Sequence, residues 1–293
     1  MKKLITILLI TTLLGASFLI QSQICPRENL ACTNFRRGVS ALSEEAATKQ
    51  LPILMYHHVL NSRKGKYIVS EKQLESDFLY LKQQGYTTVF LSEVIAWIDD
   101  SGILPEKPIV LTFDDGHYSN MHYALPLAKK HDIKFMVFPV TAFSRFSTDS
   151  GDHSNPNYSH LTWTQIKQMA DSGHVEFGNH SHNMHKFKPR MGVMRMGSES
   201  MTDYSKNLSE DIQRAQDLIE DCGVPRPTAF AYPFGKFSDE SQEILLDLGF
   251  RAILTCTEGV TIIKQNHPES LHKLKRYNRD GHRDTEDIFS KFV

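Results

Sequence analysis

The sequence has little of several features that would define a function class at once. Its 293 residues include only four cysteines, and their spacing contains no Cys-x-x-Cys pair of the kind that binds structural zinc. It contains no Gly-x-Gly-x-x-Gly or Walker loop, so a nucleotide-binding fold gains no support. Charge of one sign is not in excess either, with 33 Lys and Arg against 34 Asp and Glu. This balance argues against a dedicated nucleic-acid partner.

The composition is that of a globular protein, with 40% hydrophobic and 23% charged residues. The length suits one large domain of the barrel or doubly wound kind, or two small ones. The 14 histidines are more than we expect for this length, and they cluster along the chain. These clusters direct the search for a functional site.

The N-terminus predicts export from the cytoplasm. A basic start, Met1-Lys2-Lys3, precedes an uncharged apolar run over residues 4–20. We therefore expect residues 1–23 to be a signal peptide or an N-terminal membrane anchor, and residues 24–50 to be a polar linker. The exported chain would lie outside the cytoplasm, at the cell surface or anchored to the membrane. Disulfides are permitted there, but the sequence does not decide between pairing and buried free thiols.

Residues 51–293 predict a single α/β domain because strands alternate with helices. Ser70 and Gln73 form a capping box before the first helix. We predict strands over residues 52–56, 87–91, 108–113, 134–139, 175–177, 229–232 and 252–255, with a last one within 271–277. Loops are expected over 144–159, at the barrel mouth, and over 187–207. About seven such units fit a barrel better than an open sheet, and chemistry belongs at the carboxyl ends of barrel strands.

Residues that could take part in catalysis or metal binding follow three of these strands. Asp114 and Asp115 come directly after an apolar strand, and Gly116 permits a sharp turn there. Two carboxylates this close repel each other unless a cation or a proton lies between them. An Asp-Gly turn that caps a helix would contain the same residues, so this motif alone does not decide the function.

The second group comprises three histidines within six positions, His180, His182 and His185. A helix face would not align positions five apart, so an irregular loop must present them. Imidazole and carboxylate together are a common ligand set for a divalent metal, and three protein ligands leave a position for water. A third strand ends in Tyr232-Pro233-Phe234. Backbone N–H groups at such a turn can face a developing oxyanion, and aromatic rings can stack on a sugar.

Together, residues 112–116, 180–185 and 230–235 resemble the polysaccharide deacetylases, carbohydrate esterases of the chitooligosaccharide deacetylase type. The order and spacing of the motifs cover roughly residues 51–280. The resemblance implies a distorted (β/α)7 barrel that forms a single catalytic domain. It also implies one divalent metal, zinc in the first place with Co²⁺, Ni²⁺ or Mn²⁺ as alternatives, and the removal of acetyl groups from N-acetylhexosamine polymers.

Carried over residue by residue, the resemblance makes Asp114 the general base. It makes Asp115, His180 and His185 the metal ligands, with His182 as a rival of His185 because many members separate the two histidines by four positions. The N–H of Tyr232 would hold the oxyanion, with Pro233 and Phe234 beside it.

Two departures from the family pattern stand out. Many members have an arginine in the third motif where this chain has Ala231, which leaves the partner of Asp114 unassigned. The usual Leu-x-x-His motif is missing near the C-terminus but is matched by Leu54 to His57. A closed barrel lets the first strand take the place of the last, as in the similar poly-N-acetylglucosamine deacetylases. The general acid is therefore expected to be His57, with His58 as the fallback.

The resemblance favours a monomeric, exported enzyme that acts on a poly-N-acetylglucosamine-like polymer at the bacterial surface. Peptidoglycan and chitooligosaccharides are alternative substrates because these enzymes share the motifs. A catalytically inactive barrel that binds glycans is a further alternative. We expect no nucleic-acid partner, and membrane association only through the N-terminus.

Overall fold

The computed structural model describes residues 46–151 and 153–292. The segment predicted to be a signal peptide or anchor lies outside these residues, as do most of the predicted linker and the cysteines at 25 and 32. Within the described part of the chain, no helix is long and apolar enough to cross a membrane. Cys222 and Cys256 are both free thiols.

Twelve strands and eight helices form in the described residues. The strands are β1 Thr48–Leu51, β2 Ile53–Tyr56, β3 His58–Val59, β4 Ile68–Val69, β5 Thr87–Thr88, β6 Pro108–Asp115, β7 Phe135–Pro139, β8 Val175–Phe177, β9 Ala229–Ala231, β10 Ala252–Leu254, β11 Thr261–Lys264 and β12 Tyr277–Asn278. The helices are α1 Glu71–Gln83, α2 Leu91–Ile98, α3 Leu125–His131, α4 Thr141–Ser150, α5 Trp163–Ala170, α6 Met201–Asp221, α7 Asp239–Asp247 and α8 Thr285–Phe289. Ser70 and Gln73 form the predicted capping box at the start of α1.

Seven parallel strands close into a ring. Hydrogen bonds join them in the order β12, β2, β6, β7 and β8, and a parallel bridge between Asn179 and Phe230 continues the ring from β8 to β9. Strand β9 pairs with β10, and a bridge between Leu254 and Leu274 leads back to the segment just before β12. The predicted (β/α)7 barrel is confirmed. Strand β2, which comes first along the chain among the ring strands, lies between β12 and β6.

The core surrounds the ring on both faces. Strands β2 and β7 are buried along their whole length, as expected for parallel strands covered on two sides. Leu54, Phe113 and Val137 pack outward with the apolar face of α1, whereas Val110 and Met136 belong to a cluster with residues of β9 and β10. Side chains that alternate along each strand therefore fill the inside of the ring on one face and pack against the surrounding helices on the other.

Several boundaries differ from the sequence-based expectation. The strand predicted over 87–91 is only Thr87–Thr88, because α2 begins at Leu91, and the last strand, predicted over 271–277, is Tyr277–Asn278. Residues 144–159 were expected to be a loop, but α4 occupies their first part; Ser and Thr are weak helix formers, and burial of Thr141, Ser144 and Ser147 overrides that preference. Helix α6 begins inside the loop expected over 187–207, where the side chain of Ser200 caps its N-terminus. Strand β1 begins inside the predicted linker, because it pairs antiparallel with β11 far along the chain.

A buried ion pair ties the end of the barrel to α1. Arg279, just after β12, donates two hydrogen bonds to the Asp77 carboxylate at 2.7 and 3.1 Å, and both side chains are fully buried. Tyr56 and Thr285 donate to the same carboxylate. Every oxygen of this buried carboxylate is thus hydrogen-bonded, which is the condition under which a buried charge is tolerated.

Candidate active site

The end of β6 turns two carboxylates toward the mouth of the barrel. Asp115 and Gly116 both adopt left-handed backbone conformations, with φ of 71°. A Cβ at position 116 would lie 2.8 Å from the Cβ of Pro139, so the turn requires glycine at this point. A non-glycine residue such as Asp115 in this region is strained, and such strain clusters at functional sites.

The side chains of Asp115, His180 and His185 converge. Asp115 Oδ1 lies 3.6 Å from His180 Nε2 and 3.2 Å from His185 Nε2, and one ligand atom from each residue lies within 4.8 Å of the others. This is the single group of three or more such side chains in the described residues that could hold a metal ion. It is the same set that the family resemblance implied.

The chemistry of these donors fits a cation. His180 Nδ1 donates to the carbonyl of Ala231 at 2.7 Å, so its Nε2 carries a bare lone pair directed toward Asp115. Asp115 Oδ1 is itself buried without a hydrogen-bond partner. A cation between these two acceptors would stabilise them. A backbone carbonyl that accepts from the other ring nitrogen of a histidine, and so fixes its tautomer, is typical of metal sites.

The loop after β8 presents two histidines, His180 and His185, to this cluster and turns a third away. A Cβ at Gly178 would lie 2.1 Å from the ring of Phe138, and Ser181 adopts a φ of 73°. His182 leaves the cluster, because its Nδ1 contacts Thr141 Oγ1 at 2.9 Å. The rival assignment of His182 as a ligand is therefore not supported by the geometry, which places His185 there instead.

His57 lies beside the carboxylates, at the end of β2. Burial lowers the pKa of its imidazole, although the charges of Asp115 and Asp114 oppose that shift, and its Nδ1 has no hydrogen-bond partner. The neighbouring His58 is occupied, because its Nε2 contacts the carbonyl of Pro156 at 2.7 Å. Its ring also stacks on His117 with centroids 4.1 Å apart. Of the two candidates, His57 is the one whose buried Nδ1 has no hydrogen-bond partner in the described residues.

The expected role of Tyr232 needs correction. Its N–H donates to the carbonyl of Leu254 at 3.0 Å, so this group is engaged in the β9–β10 pairing and not available to an oxyanion. Its ring is buried and packs against Phe237. Pro233 has no N–H to offer. Phe234 is the one member of the predicted trio that lines the cavity beside the cluster.

A cavity of about 520 Å³ opens at the carboxyl ends of the ring strands, and we call it the mouth cavity. Its lining includes the metal-ligand candidates, Asp114, His57 and several aromatic and polar side chains. The lining residues are Met55, His57, His58, Lys66, Tyr67, Ile68, Asp114, Asp115, His117, His180, His185, Phe187, Phe234, Cys256, Glu258 and Asn278. The groups expected to carry chemistry therefore share one cavity.

A family model described as polysaccharide deacetylase matches residues 101–253, slightly more than half of the chain. The chain belongs to the polysaccharide deacetylase family. Among its relatives is a poly-beta-1,6-N-acetyl-D-glucosamine N-deacetylase of Staphylococcus epidermidis, 23% identical over 79% of this chain and 76% of that protein. The predicted enzyme class is thereby confirmed.

Two solved structures resemble this deacetylase closely in fold. IcaB from Ammonifex degensii is 26% identical, with a TM-score of 0.64 over 78% of this chain and 91% of that chain. The Streptococcus pyogenes deacetylase PplD in complex with acetate has a TM-score of 0.67 at 22% identity, covering 84% of this chain and all of that one. The second likeness shows the fold alone.

The deacetylase also contains a residue that the sequence motifs did not reveal. Arg276, just before β12, contacts both oxygens of Asp114 at 2.8 and 2.9 Å, and both side chains are buried. Its Nε donates to the carbonyl of Thr255. Burial raises the pKa of Asp114, but Arg276 and the nearby histidines outweigh burial and hold it below the usual range. Arg276 therefore fills the place left open by Ala231. Lys273 and Lys275 precede it in the same short segment, so no pattern in the sequence distinguished Arg276 from its basic neighbours.

We expect Arg276→Met to destabilise this deacetylase by about 3–5 kcal/mol, because it leaves Asp114 buried without a counter-charge. Folding lowers the pKa of Asp114 below its unfolded value of about 3.9. The ion pair therefore stabilises the wild type fully at a pH above that value, and this stabilisation is lost as the pH falls through the folded pKa. In the variant the pKa of Asp114 rises, and the deficit should shrink as the pH is lowered. Urea unfolding at several pH values measures both effects.

The matched control is Arg251→Met, which breaks an ion pair with Asp99 at the surface. Exposed pairs contribute little to stability, so this variant should unfold close to the wild type. An Arg276→Met protein as stable as the control would contradict the role assigned to the buried pair.

Proposed function

We propose that the chain is a metal-dependent hydrolase that removes N-acetyl groups from an extracellular poly-N-acetylglucosamine-like polymer and releases acetate. The observation that carries the proposal is the convergence of Asp115, His180 and His185 beside Asp114 in one cavity. The name of the Staphylococcus epidermidis relative supports the choice of polymer. Export through residues 1–23 and a monomeric state belong to the same proposal.

The proposed ligands are Asp115, His180 and His185, and Zn²⁺ is the proposed ion, since two imidazoles and one carboxylate suit it well. A divalent ion held there would polarise the acetamide carbonyl and lower the pKa of a bound water. Asp115 lies at the end of β6 and both histidines follow β8, two strands that β7 separates in the ring.

Asp114 is the proposed general base. Its depressed pKa keeps it ionised near neutral pH, and Arg276 fixes the carboxylate plane through both oxygens. An ionised and oriented carboxylate can take the proton of the attacking water. Arg276 thus acts through Asp114 and does not itself need to contact the substrate.

His57 is the proposed general acid. Burial lowers the pKa of its imidazole, so less than half of it is protonated near neutral pH, and the protonated fraction is the one that donates to the leaving amine. The side-chain amide of Asn120 donates to the backbone carbonyl of His57 at 2.9 Å, which fixes the residue at the edge of the cavity. The products are acetate and a glucosamine unit with a free amine.

The test is an acetate-release panel with the purified, metal-loaded protein and four substrates: poly-N-acetylglucosamine, chitooligosaccharides, peptidoglycan and acetylated xylan. We expect the fastest release from poly-N-acetylglucosamine. Faster acetate release from peptidoglycan or chitooligosaccharides would make that glycan the substrate and rule out poly-N-acetylglucosamine as the preferred one. Binding to glycans without any acetate release would favour the inactive glycan-binding barrel.

A further inference from the structure

The segment between the two histidine ligand candidates is held from outside the mouth cavity. We call this segment, residues 181–184, the ligand loop, because His180 precedes it and His185 follows it. Asp211, a partly buried residue of α6, contacts the loop. Asp211 is not among the residues that line the mouth cavity, and it has no part in the chemistry proposed above. Its contacts with the loop therefore need another explanation.

The Asp211 carboxylate accepts hydrogen bonds from two consecutive backbone N–H groups. Its Oδ1 accepts from the N–H of His182 at 2.8 Å, and its Oδ2 accepts from the N–H of Asn183 at 2.9 Å. Ser181, the residue before this pair, adopts a left-handed conformation with a φ of 73°. Turns of this kind direct successive N–H groups toward one point and form concavities that bind anions. In the ligand loop the carboxylate of Asp211 is that anion.

Other hydrogen bonds fix the remaining polar groups of the ligand loop. The N–H of Ser181 donates to Asn179 Oδ1 at 2.8 Å, and the N–H of Met184 donates to Ser181 Oγ at 3.2 Å. The carbonyls of Ser181 and His182 accept from N–H groups at the start of α4. Each N–H from residue 181 to residue 184 therefore has an acceptor, and Asp211 is the acceptor for the two middle ones.

Helix α6 is a firm support for these contacts. Its inner face is buried, including Leu208, Ile212 and Ala215. The carbonyl of Ile212, the residue after Asp211, accepts from Asn179 Nδ2 at 3.1 Å. Burial raises the pKa of Asp211, and the two N–H groups of the loop oppose that rise. Hydrogen bonds to an ionised acceptor are roughly twice as strong as neutral ones, so the carboxylate binds the loop backbone firmly.

The two histidines differ in how much they depend on this loop. His180 is fixed independently, because its Nδ1 donates to the carbonyl of Ala231 at 2.7 Å and its side chain is buried. His185 lies at the far end of the ligand loop, where its ring contacts Phe234. A ligand set must be held within about 0.5 Å of the geometry that its metal requires. The path of the ligand loop therefore decides whether His185 meets the other two ligand candidates.

We propose that Asp211 is a positioning residue of the metal centre: its carboxylate binds the backbone of the ligand loop and so holds His185 beside His180 and Asp115. This inference rests on the proposed function for the presence of the ion. It adds a residue on α6 that sets the metal affinity without contacting the metal or the substrate. The affinity for Zn²⁺ should therefore depend on the two acceptor oxygens at position 211.

The test compares Asp211→Asn with the wild type. Asparagine has the size of aspartate, but one of its two terminal groups donates and cannot accept from a loop N–H. We expect zinc binding about tenfold weaker, equivalent to about 1.4 kcal/mol, measured by competition with a chromogenic chelator. The visible absorption bands of the Co²⁺-loaded variant should also differ from those of the wild type, because His185 is displaced.

A second measurement needs neither metal nor turnover. Hydrogen exchange followed by mass spectrometry reports the protection of the amides in residues 181–184 of the metal-free protein. We expect slow exchange in the wild type and faster exchange in Asp211→Asn. The matched control is Asp217→Asn, which changes an exposed carboxylate of the same helix that pairs with Arg226 at the surface. This control should bind zinc and protect the loop as the wild type does, and thermal melting checks that both variants are folded.

The outcomes separate this inference from the proposed function. Unchanged zinc affinity in a folded Asp211→Asn protein, equal weakening in Asp217→Asn, or unprotected loop amides in the wild type would overturn the role of Asp211 and leave the deacetylase activity standing. Weaker zinc binding in Asp211→Asn alone, without acetate release from the metal-loaded wild type, would support that role and overturn the activity. A wild type that binds neither Zn²⁺ nor Co²⁺ would overturn both.

Discussion

Asp114→Asn should bind metal normally and lose nearly all acetate release. The amide is isosteric with the carboxylate but cannot accept the proton of the attacking water. General-base catalysis is worth about 10²–10⁴-fold, so we expect kcat to fall by about 10³-fold. Acetate release under saturating polymer gives kcat, and metal analysis of the dialysed protein gives the stoichiometry.

The control for this prediction is Asp149→Asn, which changes an exposed carboxylate on α4 that is paired only with Arg145. Asp114→Asn leaves the buried charge of Arg276 without a counter-charge, so we expect a lower melting temperature than in the wild type, and activity is compared at a temperature where thermal melting shows the variant to be folded. A folded Asp114→Asn protein with near-full activity would rule out Asp114 as the base.

His185→Ala should abolish tight metal binding, whereas His182→Ala should not. Removal of an outer partner of a metal ligand already costs about 10–100-fold in affinity, and removal of a ligand should cost more than about 100-fold. His182 instead contacts Thr141, outside the cluster. Competitive titration with a chromogenic zinc chelator measures both affinities.

The two histidines form a matched pair, since the same substitution is made three positions apart in one loop. Loss of metal from His182→Ala with retention in His185→Ala would exchange the two assignments. Equal losses would mean that the loop as a whole, and not one imidazole, determines the affinity.

Sequence patterns a few residues long correctly predicted helix starts and buried strands, because these depend mainly on neighbouring residues. The Ser70–Gln73 capping box starts α1 as expected, and the apolar runs after Pro52 and Pro108 form β2 and β6. Three elements of the predicted site, Asp115, His180 and His185, meet because each follows a parallel strand whose carboxyl end faces the same side.

Long-range contacts explain what the sequence did not reveal. Arg276 reaches Asp114 across 162 positions of the chain, and no spacing rule connects them. The N–H of Tyr232 was expected to be free, but its pairing with Leu254 depends on the register between β9 and β10. Helix α4 forms against local propensity because its small polar face is buried in tertiary contacts.

The late position of two arginines has a consequence during synthesis. Arg276 and Arg279 emerge from the ribosome after nearly the whole barrel, yet they neutralise Asp114 and Asp77, carboxylates buried in its earlier part. A nascent chain that ends before them would hold two unpaired charges in its interior, which is strongly unfavourable. The chain must therefore be synthesised through β12 before the catalytic pocket can assemble, and products truncated before Arg276 should be recognised by proteases as unfolded.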